Sequence, residues 1–249
     1  MSVDLALATI ARTGAAAVLF AAVFINGGRV HPLRAVVHDD RVVISFCAGM
    51  SAAYVFVHLM PELHEARVAF TDSVKITLHH QGMAIYFLAL VGFLCFYGLE
   101  HLHARLLHSD LPEQQGRAFR VQIGGFAAYV GLTSYLLVRG LEDSAVLTAL
   151  YAAAFACHFL TLDHALQERH AERYARVGRW LLAAMCLLGW GLGVLFALPH
   201  VMVAMLVAFI SGAVIVNSAV MELPSDKDGR FLPFVAGGLL YALLLLPLS

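Results

Sequence analysis

Eight stretches of roughly 20 apolar residues dominate this chain, near 4–26, 42–62, 80–100, 119–138, 146–166, 179–198, 201–223 and 231–248. A stretch of that length crosses a bilayer as a helix, because helical hydrogen bonding satisfies every backbone N–H and C=O where no water can. With 61% of the 249 residues hydrophobic and 13% charged, a soluble core has no means of hiding the apolar surface. The predicted fold class is therefore all-α: a polytopic membrane helix bundle of eight spans. Only short polar connections separate them, the longest carrying Pro112, Glu113, Gln114 and Gln115, so residues 1–249 read as a single transmembrane domain. Asp4 stands where a basic signal-peptide region would be, so the first span is expected to stay attached.

Lys and Arg are retained on the cytoplasmic side of a membrane, and their distribution sets the orientation. Twelve of the sixteen fall in connections 1, 3, 5 and 7, whereas only Arg12, Arg67, Lys75 and Arg139 fall elsewhere. Both termini are thus expected outside the cytoplasm, in a bacterial-type inner membrane. The formal net charge of −1 suggests no nucleic-acid partner. Cys47, Cys95, Cys157 and Cys186 stand singly in apolar runs without C-x-x-C spacing, and read as small packing residues.

Spans 2 and 7 resemble each other. Ala48-Gly49 stands twelve residues before Pro61, Ser211-Gly212 stands twelve before Pro224, and Tyr54 then matches Asn217. Units repeated five spans apart lie upside down relative to one another, so spans 1–3 and 6–8 form an expected inverted repeat in a 3+2+3 arrangement. Transporters use that symmetry to build two mirrored gates.

Ionisable residues at membrane depth are costly, and usually face the bundle interior, a partner or a water-filled path. His58 and Glu62, four apart on span 2, share a helix face, and imidazole with carboxylate is a pairing that grips divalent cations. Span 5 carries His158, Thr161, Asp163 and His164. His158, Thr161 and His164 project to one side, while Asp163 is rotated by roughly 140° from His158 at 3.6 residues per turn. Glu100, His101, His103 and His108 end span 3 in a tract suited to receiving metal at the inner mouth, and His79, His80 and Asp72 form a weaker outer collection. Glu222, beside Pro224, occupies the gate position mirrored to His58 and Glu62.

The run Gly49 to Glu62, closing on His58-Leu59-Met60-Pro61-Glu62, resembles the second helix of the ZIP family of divalent metal transporters, which closes on His-Leu-Leu-Pro-Glu. Ser211-Gly212, Asn217, Glu222-Leu223-Pro224 and Gly237-Gly238 are similar to that family's last two helices. The resemblance implies two inverted three-helix units around spans 4 and 5, which hold zinc, iron or a related cation and pass it toward the cytoplasm. The chain departs from the family at those two spans. Span 4 reads Tyr129-Val130-Gly131-Leu132-Thr133-Ser134 where the family has a His-Asn pair, an acid and a glycine. Span 5 reads His158-Phe159-Leu160-Thr161-Leu162-Asp163 against His-Glu-x-Pro-His-Glu, and keeps the first His and the final acid. A dehydrated divalent cation needs about four N or O ligands, so Tyr129, Thr133, Glu222 or retained water would have to complete the set.

The expected function is ZIP-like transport of a divalent cation by alternating access; the alternative is a non-transporting relative acting as metal sensor or partner subunit. A membrane-embedded hydrolase would need about three protein ligands and an open water position, and no general-base constellation accompanies the histidines, so the chain is read as no enzyme. No organic cofactor is implied. The expected partners are the lipid bilayer and the metal ion, with a homodimer left open.

Overall fold

The computed structural model describes residues 3–27, 40–73, 82–107, 111–139, 144–218 and 230–246, and every regular element among them is helical. In chain order these are α1 (Val3–Asn26), α2 (40–73), α3 (Met83–Leu107), α4 (Pro112–Arg139), α5 (Ala145–Arg173), α6 (Arg179–Leu195), α7 (His200–Asn217) and α8 (Phe231–Leu245). Large apolar side chains point outward along the bundle, among them Phe87, Leu90 and Leu94 on α3, Leu188 and Leu192 on α6, and Leu239 and Leu243 on α8. Water would oppose that surface and lipid accepts it. Six helical stretches are both long and apolar enough to cross a bilayer, with α5 and α6 counted together as one of 51 residues. The chain is a multi-pass membrane helix bundle.

That longest stretch does not run straight. At 1.5 Å per residue it would extend roughly 75 Å, more than twice the ~30 Å hydrocarbon core. Non-helical torsions at His170 (φ −136°, ψ 22°) break it, and a wide turn of π-helix over Tyr174–Gly178 follows. The contacts with α1 establish the reversal. Phe20 and Phe24 pack on Phe155 and Phe159, and Gly27 abuts Asp163, so α5 follows α1 in the same direction. Trp190 then lies back at Thr13 and Gly14, donating from Nε1 to Thr13 Oγ1 over 3.2 Å, so α6 returns along it.

A second irregularity has a clear cause. Pro61 has no N–H for the Val57 carbonyl, and its ring crowds the preceding turn. The helix relieves this by widening over Val55–Leu59, where the Met60 N–H reaches back five residues to the Val55 carbonyl. α4 starts earlier than the apolar pattern predicts, at Pro112 instead of 119. Proline suits a first helical position, and Glu113 complements the positive end of the helix dipole.

Two helix pairs are seated alike. On α2 and α8, a Cβ at Gly49 would strike the Phe234 carbonyl and the Gly238 N–H, and one at Gly237 would strike the Phe46 carbonyl. On α7 and α3, a Cβ at Gly212 would strike the Ala89 carbonyl and the Phe93 N–H, and one at Gly92 would strike the Phe209 carbonyl. Phe46 and Gly49 precede Phe209 and Gly212 by the same 163 positions, while Ala89, Gly92 and Phe93 precede Phe234, Gly237 and Gly238 by the same 145. Both are parallel backbone contacts that only glycine permits, the first marked by Arg230 N–H donating to Ser45 Oγ at the start of both helices, and these pairs are among the most extensive in the bundle.

Basic residues gather at one end. Arg105, Arg117, Arg120, Arg169, Arg173, Arg176 and Arg179 lie around the α3–α4 connection and the α5–α6 turn, while Arg67 and Arg139 lie at the opposite end with Ser144 and residues 196–199.

Candidate functional site

α5 presents two buried ionisable side chains, His158 and Asp163, and its geometry sends them to different partners. His158, 3% exposed, stands between α2 and α4: its Nε2 lies 2.7 Å from the Tyr129 hydroxyl and its Nδ1 lies 3.3 Å from Ser51 Oγ. Phe155 and Phe159 flank the ring. In a neutral imidazole one nitrogen donates and the other accepts, so the two hydroxyls satisfy both. Ser51 passes the network on to Ser218, 3.3 Å away on the end of α7. The site therefore joins α2, α4, α5 and α7 through one histidine.

Asp163, 1% exposed, takes no part in that network. The 140° rotation expected along the helix aims it at the α5–α6 turn, where it accepts from the Tyr174 hydroxyl, with the Arg179 charge nearby and Gly27 pressed against its carboxylate. A side chain at position 27 would collide with it. Asp163 thus fastens the returning α6 to α5, and on this geometry it is not a co-ligand of His158. His164, the next residue, faces outward and pairs with Glu168 at 3.3 Å.

His58 and Glu62 do share a face, at 3.9 Å, both partly exposed. His58 sits inside the widened turn, with the Tyr54 ring against it. Glu62 lines a small cavity with Tyr54, Leu136, Tyr151 and Val214, which reaches inward to Phe155, the ring that also flanks His158. Glu222, His79, His80 and His108 lie outside the described residues.

The histidine tract after span 3 is not a solvated loop, since α3 continues to Leu107. His101 is exposed and its ring stacks on Tyr97, whereas His103 is 2% exposed and faces α4 and the α5–α6 turn. His103 Nε2 lies 3.1 Å from His170 Nε2, which is 2.9 Å from Gln122 Oε1; Gln122 donates to Glu100, and Arg169 pairs with the same carboxylate. Spacing along the chain places Glu100 and His103 together, but Gln122, Arg169 and His170 arrive from other helices and no local pattern announces them.

Of the four cysteines, Cys47 and Cys186 are buried with the apolar core, as packing residues are. None of the four is in a disulfide, yet Cys47 Sγ on α2 lies 3.1 Å from Cys157 Sγ on α5, and Met50 Sδ lies 3.6 Å from Cys157 Sγ. Antiparallel packing of α2 and α5 brings these two positions, 110 apart in the chain, to one level.

Among the described residues no three of His, Cys, Asp and Glu gather into a set able to hold a metal ion. Thr133, one turn beyond Tyr129 on α4, is fully buried and its hydroxyl finds no partner among them. No protein-family model matches the chain, and no curated protein matches it.

Proposed function

We propose that the chain is a ZIP-like permease with eight membrane-spanning helices, in which α1–α3 and α6–α8 form two inverted three-helix units around α4 and α5. In this reading it carries a divalent cation, zinc or iron, toward the cytoplasm of a bacterial-type inner membrane, with both termini outside. The observation that carries it is the matched seating of α2 on α8 and of α7 on α3, with constant offsets of 163 and 145 between equivalent residues. Repeats of that kind permit the two half-bundles to rock against each other around a site at mid-depth. His158 occupies the shared centre, and the cavity at Glu62 leads toward it from the outer end. A cation arriving there would displace Ser51 or Tyr129 from one ring nitrogen and require further ligands from hydroxyls, water or Glu222. A ligand set so sparse favours release over retention.

The ligand geometry favours a second reading, a non-transporting relative that serves as metal sensor or partner subunit. Both nitrogens of His158 already have partners, and Asp163 is committed to Tyr174. The metal content of purified protein separates the two. After loading with zinc or iron, the permease reading expects bound metal that is lost in His158→Ala and kept in a His101→Ala/His103→Ala variant. The reverse pattern, with metal held only by the histidines at the end of α3, favours the sensor.

A further inference from the structure

We propose that Cys47, Met50 and Cys157 form a soft-metal site for Cu(I), set between α2 and α5. Cys47 and Met50 are three apart and so share one face of α2, and that face meets Cys157. The two thiol sulfurs, 3.1 Å apart, are much closer than unbonded sulfurs ordinarily pack, and far beyond the ~2.05 Å of a disulfide. The Met50 thioether lies 3.6 Å from Cys157 Sγ. With metal–sulfur bonds of about 2.3 Å, a triangle of three sulfurs around one ion has sides of about 4 Å, so the thiols part by about 0.9 Å to admit it, and Met50 parts from Cys157 by about 0.4 Å.

The donor set selects the metal. Thiolate and thioether are soft ligands that favour Cu(I), whereas zinc seeks four ligands and hard divalent cations seek oxygen. Neither imidazole nor carboxylate is in the triangle: the His158 ring turns away to Ser51 and Tyr129, and Asp163 to Tyr174. Each thiol that ligates gives up its proton to solvent, so affinity falls as pH is lowered. The site needs only these three side chains, and goes beyond the divalent-transport reading without depending on it.

Cu(I) is titrated anaerobically into the full-length detergent-solubilised protein in competition with a chromophoric Cu(I) chelator. One ion per chain is expected, with affinity falling by at least tenfold, or about 1.4 kcal/mol, in Cys47→Ala and in Cys157→Ala, and less in Met50→Leu. Cys95→Ala and Cys186→Ala should bind as the parent does. To guard against variants that fail to fold, X-ray absorption on the copper-loaded parent should find a first shell of sulfur alone. A shell dominated by nitrogen or oxygen, binding unaltered in the two cysteine variants, or tighter retention of zinc than of Cu(I) by these thiols would overturn the proposal.

Discussion

At the scale of the residue, burial turns each polar side chain into an obligation. Tyr129 and Ser51 meet the obligation of His158, so Tyr129→Phe strands a ring nitrogen in the bundle centre. A loss on the order of 1–3 kcal/mol is expected, read as a lowered midpoint of thermal unfolding in detergent; an unchanged midpoint would mean that the hydroxyl is dispensable. Asp163→Asn tests the contrasting role assigned to that acid. It should destabilise the protein by loosening the turn to α6, yet leave the metal content of the His158 site unaltered. Metal lost without loss of stability would return Asp163 to the ligand set. Much of this was legible in the sequence for residues on one helix. The divergence of His158 and Asp163 follows from 3.6 residues per turn, and the sharing of a face by His58 and Glu62 follows from their spacing. Of the partners, only Tyr129 was set beside His158, and through the family resemblance; the rest were not legible. Tyr129, Ser51, Tyr174 and the Cys47–Cys157 contact join positions from 11 to 110 apart, and depend on how helices cross.

At the scale of the element, glycine decides where helices touch. Gly49 and Gly212 let a facing backbone carbonyl approach, and a methyl group at either would have to push two helices apart. Gly49→Ala and Gly212→Ala should each cost roughly 1–3 kcal/mol by overpacking, and by similar amounts if the seats are equivalent. Gly98, Gly124 and Gly191 have nothing within 4 Å of the corresponding position. Alanine there should be neutral or stabilising by up to about 1 kcal/mol from helix propensity. Thermal unfolding of the five variants checks the contrast, and equal effects at all five would contradict it. The apolar runs foretold nearly every helix, with the largest boundary error at the end of α2, which runs past 62 to Ser73 as a polar extension. What they did not foretell is the near-continuous ribbon of α5 and α6, because His170 breaks the helix without a glycine or proline to announce the turn.

At the scale of the whole molecule, reversal of the ribbon and segregation of the basic residues define two ends of the bundle. Cysteines introduced at Glu113 and Glu172, on a background freed of native cysteines, should react with an impermeant maleimide only from the cytoplasmic side. One at Ser144 should react only from outside. Labelling of all three from the same side would break the topology. The direction in which a cation moves through such a bundle was never legible from spacing, because it depends on the relative stability of two rocked states of one chain. The most direct measurement is therefore flux. Protein reconstituted into liposomes and offered zinc, iron, manganese or cobalt should take up at least one of them at a rate above empty vesicles, and His158→Ala, still folded and monodisperse, should lose that uptake. No flux for any of the four metals, or flux indifferent to His158, would contradict the permease reading.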